Sequence, residues 1–280
     1  MRRLALELPF TPPLAAEPLR RFLVAHAVPG LEHVEPDGTH LRSIDTPGGD
    51  AVVRLDWTRL GASVLPIEVQ LTDAADEAFV TAAVRRWLDL DADPAAVEAV
   101  LGADPLLAPL AAARPGLRIP GAIDVREVAV FAVLGQQVSL AAARTFAARL
   151  VDGFAAPTGS GLRRTPDLAA IAAAEPESFR AAIGLTRSRA ASVQTLAGAL
   201  ADGLDLADRR ALLALPGIGP WTADYLAVRS GDRDAFPAGD LVLRRALGID
   251  RMRDVVERAE PWRPWRAYAL LHLWTGAVFA

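Results

Sequence analysis

Two stretches carry residue types and spacings that can do chemistry: LPGIGPWTADYLAV, Leu215 to Val228, and FPAGDLVLRRAL, Phe236 to Leu247. Pro216-Gly217-Ile218-Gly219 makes a tight turn, with Asp208 placed to cap a helix running through Ala214 and Pro220 suited to the first position of the next. Such a hairpin sends the N–H groups of Gly217, Ile218 and Gly219 outward at the positive end of a helix dipole, where no side chain keeps a phosphate away. It would hold a phosphate backbone without reading sequence. Asp240 follows Pro237-Ala238-Gly239 and opens the apolar helix LVLRRAL. Taken alone it is an N-cap; the other use is a carboxylate held beneath a carbon that becomes positive as a bond breaks. The two roles are compatible, because the dipole that favours a cap also favours an anion. Asp232 and Asp234 read as solvated turn residues, and Asp224 as a surface residue.

Aromatic residues surround these stretches. Trp221 and Tyr225 lie at i and i+4 on one helical face. Trp274 ends an apolar stripe with Ala267, Leu270 and Leu271, which by itself reads as core. A flat cationic ligand gains about 0.5–2 kcal/mol from each aromatic face, so an aromatic pocket would select one. Gln137, in Gly135-Gln136-Gln137-Val138-Ser139, is either an exposed polar residue or a side chain long enough to intercalate. His272 reads as a core-edge histidine, since no second His or Cys lies at metal-binding spacing.

The elements that must position these groups follow from periodicity. In the first ninety residues LALEL, THLRSI, AVVRLDW and SVLPIEVQL read as strands, while Pro18 to Ala27 and Asp76 to Leu90 read as helices. Turn signals at Pro36-Asp37-Gly38 and Pro47-Gly48-Gly49 separate the strands. This predicts an α+β fold: an N-terminal antiparallel sheet with helices packed on one face, followed by an all-helical region. The expected division is a mixed domain over 1–92 and a helical region over 93–280 containing the hairpin (215–221) and the Asp loop (236–240). The spacing of Val128, Phe131, Leu134 and Val138 predicts a long helix facing the core.

Composition sets outer limits. At 280 residues and 52% hydrophobic, the chain can bury one large core or two modest ones. No apolar run reaches the roughly 18 residues of a spanning helix, and the N-terminus lacks a signal-peptide pattern, so the expectation is a cytoplasmic protein with no membrane partner. With no cysteine, disulfides, thiolate zinc sites and cysteine-ligated iron–sulfur clusters are excluded. All 30 basic residues are arginine. Schiff-base chemistry through a lysine amine is therefore excluded, as is a P-loop of the usual kind. The net charge is −4, but residues 207–280 carry 11 Arg against 9 acidic residues, whereas residues 1–90 carry 9 against 13. Polyanion binding would rest on a local footprint at the C-terminal end.

The hairpin, the loop rich in Gly and Pro and the aspartate together resemble the helix-hairpin-helix DNA glycosylases, and among them the bacterial DNA-3-methyladenine glycosylase II family. ARPGLRIPGAIDVREVAVFAVLGQQVS (Ala113 to Ser139) and WRPWRAYALLHLW (Trp262 to Trp274) resemble further segments of that family, FLVAHAV (Phe22 to Val28) more weakly. The resemblance implies a monofunctional enzyme that flips alkylated purines, chiefly 3-methyladenine, out of double-stranded DNA and hydrolyses the N-glycosidic bond, acting as a monomer. It implies Asp240 as the catalytic residue and Trp221, Tyr225, Trp274 and Phe22 as the base pocket. DNA binding falls to Gly217, Ile218, Gly219 and the wedge position, Gln137. No cofactor is required, although the carbonyls of Leu213, Leu215 and Ile218 match positions that hold a monovalent cation. Bifunctional relatives carry a lysine where this chain has Trp221. Two departures stand out: Gln137 replaces an apolar wedge, and Leu241 an aromatic next to the aspartate. The alternatives are a non-catalytic module that binds damaged DNA through the same hairpin, and a glycosylase for oxidised guanine.

Overall fold

The computed structural model describes residues 2–278. The chain opens with β1 (Arg2–Pro9) and α1 (Ala16–His26), followed by β2 (Glu32–Val34), β3 (His40–Thr46), β4 (Gly49–Leu55), β5 (Val64–Leu71) and α2 (Glu77–Trp87). Among the described residues the strands form one antiparallel sheet in the order β1-β5-β4-β3-β2. The short β2 has no signature of its own; it exists because it pairs with β3, Val34 opposite His40. One sheet face, carrying Ile44, Val53, Leu55, Ile67 and Val69, packs with Leu19, Phe22, Val80 and Val84 of α1 and α2.

The helices pack on this face as expected; the opposite face is also covered in part, by loop rather than helix. Ser43 and Val52, paired across β3 and β4, are both buried. The Ser43 hydroxyl donates to the carbonyl of Arg163 at 2.6 Å, so a loop from the second half of the chain closes this side.

From residue 94 the described chain is helical: α3 (Pro94–Leu101), α4 (Ala108–Ala113), α5 (Val125–Leu134), α6 (Leu140–Phe154), α7 (Leu168–Ala173), α8 (Pro176–Ile183), α9 (Arg187–Ala201), α10 (Arg209–Leu213), α11 (Pro220–Arg229), α12 (Leu241–Leu247), α13 (Met252–Ala259) and α14 (Arg266–Val278). Among the described residues three hydrophobic clusters result rather than one or two. One belongs to the sheet and its helices; one to α5–α9 with the hairpin; one to α3, α4 and α12–α14, with Leu117 and Ile119. Short helices explain the difference, since each covers too little surface to merge neighbouring cores.

The long helix expected through Val138 is two helices. α5 stops at Leu134 with Gly135 as its C-cap, Gln137 takes a left-handed φ of 55°, and Ser139 caps α6 by accepting from the Ala142 N–H at 3.3 Å. Local capping outweighs the apolar spacing here.

Buried polar contacts join the parts. Arg42 on β3 donates both ways to Glu127 on α5, at 2.6 and 2.8 Å. Burial pushes the Glu127 carboxyl upward while the guanidinium opposes it. Asp104, before α4, accepts from Arg258 on α13 and from the indole of Trp262; the guanidinium holds its carboxyl far below the usual range.

Candidate active site

Asp240 sits where the sequence places it, as the N-cap of α12. Its Oδ1 accepts from the Leu243 N–H at 2.8 Å. The sequence could not show what else holds it. The Trp221 indole N–H donates to Oδ2 at 2.8 Å, and the Trp274 indole N–H donates to Oδ1 at 3.1 Å. The carboxylate is 8% exposed. Three N–H donors occupy most of the roughly four lone-pair sites of a carboxylate, which fixes its orientation. A side chain so anchored is suited to stabilising positive charge and poorly placed to swing as a mobile base.

Trp274 thus does two things: Leu271 beside it is core, while its indole edge reaches the aspartate. Trp221 and Tyr225 are stacked, with centroids 5.2 Å apart and planes 6° from parallel. A ring inserted between them would need roughly 7 Å, twice a van der Waals contact of about 3.5 Å. A flat ligand would have room only against the outside of this pair, where Trp221 is 37% exposed. Phe22 and Trp274 line a separate cleft between α1 and α14, with Pro18, Leu19 and Leu271. Trp221 and Trp274 meet at Asp240, Tyr225 is joined to it through Trp221, and Phe22 lies with Trp274 in the separate cleft.

Arg229 was not singled out by the sequence, where it is one arginine among 30. It donates to the Tyr225 hydroxyl at 2.6 Å and to the Gly121 carbonyl at 2.9 Å. Its guanidinium carbon lies 5.2 Å from the Phe22 ring centroid and 5.6 Å from that of Tyr225. His26 stacks on Phe22 at 3.9 Å. Burial, aided by the Arg229 charge, pushes His26 down to about 4.

The hairpin folds as its sequence requires, with one change in its donors. Asp208 caps α10 through the Ala211 N–H, and Pro220 opens α11. Ile218, however, is buried, and its N–H donates to the Leu215 carbonyl at 3.2 Å, so it does not point outward. A tight turn spends this donor on itself. Gly217 and Gly219 remain as the candidate phosphate contacts, and no side chain caps the N-terminus of α11. The two glycines differ. Gly217 has φ 83°, and a Cβ there would come within 2.4 Å of the Ser192 hydroxyl. Around Gly219 a Cβ would meet nothing within 4 Å. Of the carbonyls considered for a cation, that of Leu215 already serves the Ile218 N–H; a cation there would use its second lone pair together with Leu213 and Ile218.

Gln137 is exposed on the turn between α5 and α6, rather than on a helical surface. Its neighbour Gln136 ties that turn to the hairpin, donating to the Gly217 carbonyl at 2.9 Å and to the Thr222 hydroxyl at 3.3 Å. Arg189 donates to the Gln136 carbonyl. Asp234 departs from the expected solvated turn. It accepts from Arg266 at 2.7 Å and from Arg263, fixing the start of α14. Asp224 pairs with Arg209. His272 is buried, and desolvation with the Arg114 charge pushes it down to about 4.

Comparison with known proteins agrees with this architecture. Residues 5–124 match the AlkA N-terminal domain and residues 130–259 the HhH-GPD superfamily base excision DNA repair protein model. A relative from Mycobacterium tuberculosis described as "Probable bifunctional transcriptional activator/DNA repair enzyme AlkA" is 41% identical over 97% of this chain, which spans 56% of that relative's length. The DNA-3-methyladenine glycosylase 2 of Escherichia coli is 33% identical over 90% of both chains. The structure of a 3-methyladenine DNA-glycosylase from Archaeoglobus fulgidus superposes with a TM-score of 0.80 at 24% identity, covering 100% of this chain and 99% of the other, and so shares the fold. On these grounds, two adjoining domain matches and a relative that aligns along nearly its whole length, the chain belongs to the HhH-GPD superfamily of base excision DNA repair proteins, with an AlkA N-terminal domain preceding the hairpin region.

Proposed function

We propose that the chain is a monofunctional DNA glycosylase that hydrolyses the N-glycosidic bond of alkylated purines, chiefly 3-methyladenine, in double-stranded DNA. The observation that carries this reading is Asp240, a buried carboxylate fixed by two indole N–H groups beside exposed aromatic surface. As the base departs, the sugar acquires positive charge, and a negative charge already oriented toward it lowers that barrier without reorganisation. Alkylated purines suit such a site. A cationic base is a good leaving group, so no strong general acid is demanded, and its charge is attracted to the exposed aromatic faces. The name of the Escherichia coli relative supports this substrate class.

The hairpin glycines hold the backbone, and Gln137 fills the space left by the extruded base, whose unstacking costs a few kcal/mol. A monovalent cation on the carbonyls of Leu213, Leu215 and Ile218 would add a bridge to a phosphate. Residue identity supports a reading without strand cleavage: Trp221 takes the hairpin position at which a nucleophilic amine would serve, and the chain contains no lysine, which leaves only the N-terminal amine.

Incubating the protein with methylated duplex DNA tests this. Free methylpurine should appear, strands should break only after alkali, and borohydride should trap no covalent complex. Release of oxidised guanine alone, or binding to damaged DNA without any release, would replace the proposal by one of its rivals.

A further inference from the structure

Phe22 lies in the core of the sheet and Tyr225 packs against that of α5–α9, yet an unbroken series of contacts runs from Phe22 through Tyr225 to Trp221. The ring of Phe22, on α1, lies 5.2 Å from the Arg229 guanidinium; Arg229 lies 5.6 Å from the Tyr225 ring and bonds its hydroxyl; Tyr225 stacks on Trp221; and Trp221 holds Asp240. The fourth contact of Arg229, to the Gly121 carbonyl, ties the same guanidinium to the segment that connects the two halves of the chain. From these contacts we propose that Arg229 is a positioning residue for Asp240: it sets the tilt of Tyr225 and Trp221, and thereby couples the seating of the N-terminal domain to the aim of the carboxylate. The proposal rests on the glycosylase reading above.

One observation separates this role from that of a simple strut: the series ends on the aspartate itself, through the Trp221 indole N–H, which donates to Oδ2. A small rotation of Tyr225 would tilt Trp221 with it, since the rings are 6° from parallel. Misplacing a reacting group by about 1 Å costs on the order of 100-fold in rate.

The test compares Arg229→Met, Arg229→Lys and Phe22→Leu with the parent, measuring single-turnover release of methylpurine at saturating protein alongside affinity for the same duplex. Arg229→Met should slow release by about 10- to 100-fold with affinity close to parental. Arg229→Lys keeps the charge without the planar fork and should recover part of the rate. Combining Phe22→Leu with Arg229→Met should cost less than the product of the separate effects, because both act through one series of contacts. Parental release by Arg229→Met, or rate and affinity falling together, would overturn the proposal. Should the Met variant fail to fold, Arg229→Lys and Phe22→Leu decide alone, and parental release by both rejects it. A parent that releases no alkylpurine rejects the glycosylase reading; an active parent with indifferent variants rejects only the positioning role.

Discussion

Asp240 combines two tasks that usually compete for one side chain. Oδ1 closes the first turn of α12, while Oδ2 is held by an indole, so the carboxylate is both a cap and an oriented charge. Asp240→Asn keeps an amide oxygen for the cap but replaces Oδ2 by an NH2 group that cannot accept from the Trp221 indole. We expect a folded protein that binds duplex DNA and barely releases methylpurine, checked by base release and thermal melting; near-parental release would reject Asp240 as the catalytic residue. Gln137 invites a different measurement. Its left-handed backbone is uncommon for a residue with a long side chain, and the side chain is exposed. Gln137→Ala should reduce release from a paired lesion more than from one already unpaired, because the second needs less unstacking. Equal rates on both substrates would return Gln137 to the ordinary surface.

The hairpin shows how glycines only two residues apart can serve separate ends. Gly217→Ala should lower the melting temperature, since it combines a positive φ with a Cβ pressed against Ser192, and adding Ser192→Gly should restore part of the loss. Gly219→Ala should leave melting nearly unchanged while weakening binding to any DNA sequence, as a methyl group enters the space kept for phosphate. If both variants melt and bind alike, this division is wrong. The hairpin, the caps at Asp208 and Asp240 and four of the five strands were legible in the sequence, because each depends on residues within a few positions. What was not legible depends on distant partners: β2 exists only beside β3, Asp234 is occupied by arginines about thirty residues away, and Ile218 spends its N–H inside the turn. At the site the aspartate and its aromatics could be named, but not the indole bonds, nor the place of Arg229 between Phe22 and Tyr225.

Taken together, the three cores make stability depend on pH in a particular window. His26 and His272 are both pushed from 6.5 to about 4 by burial. Folded histidines with lowered values are neutral, whereas the unfolded chain takes up protons below about 6.5, so stability is full above that point and declines as pH falls toward 4. Each unit of difference is worth about 1.4 kcal/mol. Asp104, whose carboxyl is held far below its usual range by Arg258, adds a loss that begins only below about pH 4, the unfolded aspartate value. We expect the melting temperature to start falling near pH 6.5, and His272→Gln to flatten the slope between 6.5 and 4. An unchanged slope would place the titrating groups elsewhere.

The segment running from α4 to α5 carries Pro115-Gly116 and Pro120-Gly121 and has the composition of a flexible tether. It is instead wedged against the first domain: a Cβ on Gly116 would fall 2.1 Å from the Pro13 carbonyl oxygen and one on Gly121 2.1 Å from that of Arg86, while the Gly121 N–H donates to Trp87 and the Ala15 N–H to Gly116. Cleavage by a protease needs several residues to unfold into an extended strand, and here that would first require lifting the segment off Pro13 and the end of α2. Limited digestion should therefore spare residues 114–121 and begin at the exposed turn around Ser160 and Gly161, and the Gly121 amide should exchange its hydrogen for deuterium only about as fast as the cores open. A sequence that reads as a hinge thus behaves as a rivet.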